Sequence, residues 1–301
     1  MIDNRMKITW EVPVSLDGEL LRTFLRKHKQ MSRKALAEIK LRGGGLFVNG
    51  KESDVRTILR GKDHVLVLFP PEQASEALEP LEIPLTIVAE DDHMLVIDKP
   101  AGLPTVPSSR EPGLSLAHGV IHYYQQQHIP ATFHGVTRLD RNTSGLLLVA
   151  KHRYAHDQFV KAGLKREYEV LLEGSLPRNE GTVKYPIGRK GSSIIEREVR
   201  EDGQHAVTHF EVLEKNKRLT KVKVRLETGR THQIRVHFSH LGFPLAGDTL
   251  YGGHTHKISR QALHSACLSF THPFTGEHHR YESKVPHDME QAWMEEGNIN
   301  K

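Results

Sequence analysis

A chain of 301 residues with 37% hydrophobic side chains is long enough for one large domain, or a large and a small one, each around a packed core. The formal charge of +5 fits a polyanionic partner without requiring one. The single cysteine, Cys267, excludes an internal disulfide. No apolar run approaches the roughly 18 residues of a membrane span, so a reducing cytoplasm is the expected setting.

The opening "MIDNRMKITWEV" has neither a long apolar core nor a cleavage signal. "SLDGELLRTFLRKH" places Leu16, Leu20, Leu21, Phe24 and Leu25 at helical spacing, with Arg22, Arg26, Lys27 and Lys29 mainly elsewhere around it. Ser32 then reads as the cap of a second helix with Leu36 and Ile39 on its inner face, ended by Gly43, Gly44 and Gly45. "LFVNGKES" predicts a short strand and a turn at Asn49-Gly50, and "DHVLVLFPPE" a closing strand. The polar, proline-bounded stretch "PPEQASEALEP" predicts a linker.

A larger unit follows. "LTIVAEDDHMLVIDKPAGLPTVPS" reads as strand, turn, strand and a proline-rich loop. "LLLVAK" predicts a strand, "RYAHDQFVKAG" a short helix and "EYEVLLEG" another strand. In "TKVKVRLETG", Val222, Val224 and Leu226 alternate with Lys221, Lys223 and Arg225, the pattern of a half-exposed strand. "RTHQIRVHFSHLG" reads as a helix with Thr231 as cap, Ile234, Phe238 and Leu241 inward, and Gly242 as its end. Strands and helices mix without regular βαβ alternation. The expected class is therefore α+β, with a large mixed, mainly antiparallel sheet flanked by helices and loops, and a small α+β unit in front.

The chemistry centres on "GVTRLDRNTSGLLLVAK", residues 135–151. Asp140 lies between Arg138 and Arg141, and adjacent cations keep a carboxylate ionised. Such a group can act as nucleophile or base, or it can be one charge among others in a solvated turn. By the residues alone Tyr168 is a core tyrosine or a stacking platform, and Arg235 a solvated helical arginine or a cleft residue. Four of the 21 histidines cluster in "GGHTHK" and "GEHHR", yet no H-E-x-x-H and no cysteine pair accompanies them, so no metal site is expected. Lys99 in "DKPAG" suits a loop-shaping or phosphate-facing role better than a catalytic one.

"TRLDRNTSGLLLVAK" closely resembles the catalytic motif of the RluA/RluD group of RNA pseudouridine synthases, H-R-L-D-R-x-T-S-G-L-L-L-x-A-K. "EDDHMLVIDKPAGLPTVPS", "KREYEVLLEG" and "LETGRTHQIRVHFSHLGFPLAGDTLYG" are similar to three further family segments, in the family's order. The resemblance implies Asp140 as catalytic aspartate and Arg138 as the side chain that fills the space left by a flipped nucleotide. It implies Tyr168 as the platform that stacks on the target base, and Arg235 as the cation that pairs with the aspartate. Thr137 departs from the pattern, since a histidine is usual there.

The implied activity is isomerisation of uridines in ribosomal or transfer RNA, with no metal, nucleotide or redox cofactor, by a cytoplasmic monomer. A target base inside a helix must be flipped out, at a cost of roughly a few kcal/mol. "MSRKALAEIKLRGGGLFVNGKESDVRTILRGKDHVLVL" resembles the small S4-type RNA-binding domain, although three glycines stretch its turn. That implies phosphate contacts from Ser32, Arg33, Lys34, Lys40 and Arg42. The expected organisation is an S4-like domain over 1–70, a linker over 71–80 and a catalytic domain over 81–301.

Overall fold

A computed structural model describes residues 5–72, 78–107 and 113–297. Residues 73–77 of the expected linker lie outside the described residues. The chain divides into two compact units. One takes the sequence up to Pro84 with Ala117–His134 and Ala150–Gln158; the other takes Leu85–Leu116, Gly135–Val149 and Phe159 onward.

The first unit holds a four-stranded antiparallel sheet in the order β1-β4-β2-β3. Its strands are β1 (Lys7–Glu11), β2 (Gly45–Val48), β3 (Lys51–Glu52) and β4 (His64–Leu68). Ile8, Leu46 and Val67 meet across the registers and are buried, as are Val48 and Val65. The tight β2–β3 turn uses left-handed Asn49 (φ 50°) and Gly50 (φ 79°), the pair the sequence predicts. Helix α1 (Leu21–Thr23) runs into a π-helical turn at Phe24–His28. The expected earlier start fails because Gly18 turns at φ 84° and Asp17 spends its carboxylate on the Gly61 N–H at 2.9 Å. Ser32 caps α2 (Arg33–Leu41) by accepting the Ala35 N–H at 3.0 Å, and Leu36 and Ile39 are buried. The unit also takes most of α3 (Leu116–Gln126) and the start of α4 (Arg153–Ala162). Tyr154 explains the latter: its hydroxyl donates to the Lys29 carbonyl at 2.6 Å and its ring stacks on Phe69.

The second unit is built on a mixed, mainly antiparallel sheet whose path runs β10-β13-β14-β9-β15-β8-β6-β5. In chain order the strands are β5 (Thr86–Glu90), β6 (Met94–Lys99), β7 (His134–Gly135), β8 (Ser144–Ala150), β9 (Lys165–Glu173) and β10 (Glu180–Val183). Then come β11 (Ile187–Arg189), β12 (Arg197–Val199), β13 (Thr208–Lys215), β14 (Leu219–Leu226), β15 (Leu263–Thr271) and β16 (His278–Glu282). Strands β11 and β12 pair as a separate ribbon. Every residue of β8 is buried, as its unbroken apolar sequence requires of a strand covered on both faces. Its neighbour β15 runs parallel to it and antiparallel to β9. Helices α5 (Gln233–His240) and α6 (His287–Gly297) complete the unit. Cys267 is buried in β15. Among the described residues no helix is long and apolar enough to cross a membrane.

Candidate active site

The motif loop precedes β8 and is held from behind by its main chain. Thr137 is buried, and its hydroxyl accepts the Leu148 N–H at 2.9 Å, so the residue that replaces the usual histidine fastens the loop to β8. Four consecutive carbonyls are then taken in turn. Thr105 donates to Leu139 at 2.7 Å, the Thr143 N–H to Asp140 at 3.0 Å, Lys99 to Arg141 at 3.1 Å and Arg260 to Asn142 at 3.1 Å. Gly145 (φ 105°) is obligatory: a Cβ there would stand 2.3 Å from the Ser265 carbonyl oxygen of β15. Lys99 is fully buried and also donates to the Pro100 and Leu103 carbonyls, each at 2.8 Å, so it shapes the loop and faces no phosphate. Burial pulls its ammonium down to about 7, against the opposing pull of Asp140.

The second wall comes from α5. Gln233 fixes the start of this helix with a fully used amide. Its oxygen accepts from the Arg230 N–H and the Thr228 hydroxyl, and its nitrogen donates to the Val207 carbonyl and the Thr208 hydroxyl. The N-cap is His232 rather than Thr231, in a left-handed conformation with φ 57°. Two residues into the helix, Arg235 forms a bidentate pair with Asp248 at 2.7 and 2.8 Å. Its remaining Nη1 reaches Asp140 Oδ2 at 3.1 Å. Burial alone would lower the Arg235 guanidinium, but Asp248 and then Asp140 outweigh it and raise its pKa above the ordinary arginine range. The expected Asp140–Arg235 pair is thus one arm of an aspartate–arginine–aspartate bridge.

Tyr168 comes from β9, opposite Val224 of β14 and Ser265 of β15. It is buried, and burial raises its phenol pKa, with Asp140 adding to the rise. Asp140, Arg138, Tyr168 and Arg235 line one cleft of about 240 Å³, with Arg166 and His232 among its other walls. Arg138 is exposed. A cleft with an anchored, part-exposed carboxylate, a neutral phenol ring and arginines suits an anionic substrate that presents a flat group to Tyr168. Of the other expected residues, Arg33, Lys34, Lys40 and Arg42 are exposed on or beside α2 of the first unit, where the Ser32 hydroxyl is engaged as the cap.

Sequence reasoning missed Asp248, Tyr251 and His232 as members of the site. Asp248 carried one signal, a lone acid within the apolar stretch "FPLAGDTLYG". Buried charges demand partners, so its burial in that stretch implies a nearby cation.

The chain matches the family model described as RNA pseudouridylate synthase over residues 93–240. It is 51% identical to the uncharacterized RNA pseudouridine synthase YjbO of Bacillus subtilis, over 86% of this chain and 93% of that protein. It is 36% identical to the ribosomal large subunit pseudouridine synthase D of Pseudomonas aeruginosa, over 94% of this chain and 93% of that protein. Among solved structures, human RNA pseudouridylate synthase domain containing 1 superposes with a TM-score of 0.56 and 25% identity, over 71% of this chain and 87% of that one. Its mixed, mainly antiparallel fold and these relatives agree: the chain belongs to the RNA pseudouridine synthase family of isomerases.

Proposed function

We propose that this enzyme isomerises specific uridines in ribosomal or transfer RNA, with Asp140 as the catalytic carboxylate acting on a flipped-out nucleotide. The reaction breaks the uracil–ribose C–N bond, turns the base and rejoins it through carbon, while a proton leaves that carbon and one is gained at nitrogen. The observation that carries the reading is the Asp140 carboxylate, set into the cleft by Arg235 at 3.1 Å, in walls that Tyr168 and Arg138 share. Tyr168 stacks on the detached uracil, a contact worth about 1–3 kcal/mol. Arg138, exposed at the cleft, fills the space the nucleotide vacates. Residues 1–70 serve as an S4-like RNA-binding domain and 81–301 as the catalytic domain, joined by a linker over 71–80; exposed Arg33, Lys34, Lys40 and Arg42 meet phosphates. The enzyme works as a cytoplasmic monomer.

The test is pseudouridine mapping in RNA from a strain lacking the gene, paired with Asp140→Asn on transcribed RNA. Loss of discrete pseudouridines, and a mutant that binds RNA without turnover, are expected. Release of free uracil with an abasic site would make the protein a glycosylase, and turnover by the mutant would remove Asp140 from its role. Arg33→Gln and Lys34→Gln should each make the salt dependence of RNA binding shallower by about one unit of slope; unchanged slopes would remove these residues from the RNA contact.

A further inference from the structure

His232 faces the cleft from a left-handed backbone conformation, φ 57°, that non-glycine residues rarely adopt. Its ring is locked from behind. Tyr251 Oη accepts the Arg197 N–H at 2.9 Å and lies 2.8 Å from His232 Nδ1. A phenol has one proton to give. With the Arg197 N–H already using a lone pair, that proton satisfies both partners when it points to Nδ1. The imidazole proton then belongs on Nε2. The opposite face agrees, because Nε2 stands 3.8 Å from Asp140 Oδ2, where a carboxylate favours an N–H over a lone pair.

Arg235 Nη1 and His232 Nε2 thus address the same oxygen, Oδ2. Oδ1 of Asp140 has no hydrogen-bond partner among the described residues. The cluster of two aspartates and one arginine carries a net negative charge. A neutral imidazole adds a directed N–H without cancelling that charge. Burial holds the His232 pKa below the ordinary histidine value, outweighing the upward pull of Asp140, which fits the neutral ring.

We propose that His232 is a positioning residue: with its proton held on Nε2 by Tyr251, it closes on Asp140 Oδ2 when RNA fills the cleft and turns Oδ1 toward the reacting nucleotide. The proposal rests on Asp140 as the catalytic carboxylate. Its geometry differs from that of a merely structural histidine, because only the group at the Nε2 position matters.

Two substitutions isolate that group. His232→Met and His232→Gln are both unbranched and meet the same backbone cost, but only glutamine ends in an N–H donor. His232→Met should lower kcat by about tenfold or more with KM for RNA unchanged, since misplacing a reacting group by about 1 Å costs up to about a hundredfold. His232→Gln should regain most of that loss. Nitrogen-15 spectra of the intact enzyme, with the His232 signals assigned by their absence in His232→Gln, should show a protonated Nε2 and an unprotonated Nδ1. In Tyr251→Phe the preference between the two nitrogens should weaken and kcat should fall. A proton on Nδ1 in the wild-type enzyme, equal losses in the methionine and glutamine variants, or a loss confined to KM would each overturn the proposal. Turnover by Asp140→Asn would overturn it from beneath, and that failure is read apart from the ring signals, which do not depend on catalysis.

Discussion

Two arginines hold the Asp140 loop by the same device. Arg235 on α5 and Arg260 ahead of β15 each make a bidentate pair with an aspartate, Asp248 and Asp288 respectively. Each then extends Nη1 to the loop, Arg235 to the Asp140 carboxylate and Arg260 to the Asn142 carbonyl, both at 3.1 Å. The arginine side chains are equally buried, but Asp248 is 1% exposed and Asp288 46%. Chemically alike pairs therefore carry different energetic stakes. The pair in the site leaves a desolvated charge behind when it is broken; the pair behind the loop leaves one that water can reach.

Arg235→Met should give the largest effect. It strands Asp248, and breaking a buried pair costs about 3–5 kcal/mol. Denaturant unfolding should show that loss together with abolished turnover, whereas a small stability change would break the contrast with Arg260. Arg260→Met comes next. It removes donors from the Asn142, Gln261 and Leu263 carbonyls. Leaving such groups unsatisfied costs about 1–3 kcal/mol, and kcat should fall less than in Arg235→Met. Asp140→Asn should abolish turnover while changing the unfolding free energy by less than about 1 kcal/mol, the range for a part-exposed ion pair, because Arg235 keeps its bidentate partner. A destabilisation as large as that of Arg235→Met would show that Asp140, not Asp248, is the main anchor.

The smallest effect is a pH slope. Burial is the leading cause that lowers the pKa values of His232 and His237 on the Arg235 side and of His264 in β15. As pH falls through about 6.5, the unfolded chain binds protons that the folded chain refuses, so stability falls with acidification and recovers above that value. Calorimetry between about pH 7.5 and pH 5.5 checks the sign; a rise in melting temperature on acidification would contradict it.

Local signals were legible in the sequence where a local physical cause sets the structure. The Ser32 cap, the Asn49-Gly50 turn, the buried β8 and the alternation of β14 all follow from neighbours a few residues apart. The first helix was over-extended because Leu16 and Leu20 keep helical spacing, while the contact that breaks it comes from Gly61. Helices α3 and α6 and strands β10 to β13, β15 and β16 were not read, although β13–β14, β15–β16 and β11–β12 pair locally, because their sequences lack the clean alternation that marks β14. The Asp140, Tyr168 and Arg235 convergence was reached through family resemblance, Asp140 and Arg235 standing 95 positions apart. Asp248 lay inside the matched third segment, but its tie to Arg235 spans 13 positions and a turn, and no local pattern marks that tie.

The four pinned carbonyls of residues 139–142 have a consequence for how this enzyme can diverge. A main-chain oxygen is the same whatever side chain follows it, so these pins place Asp140 without inspecting its neighbours. Asn142 can mutate while its carbonyl still receives Arg260. Position and identity are thereby decoupled at residue 142: the Asp140 carboxylate keeps its register whatever side chain stands there. Substitutions at 142 can accumulate without displacing Asp140.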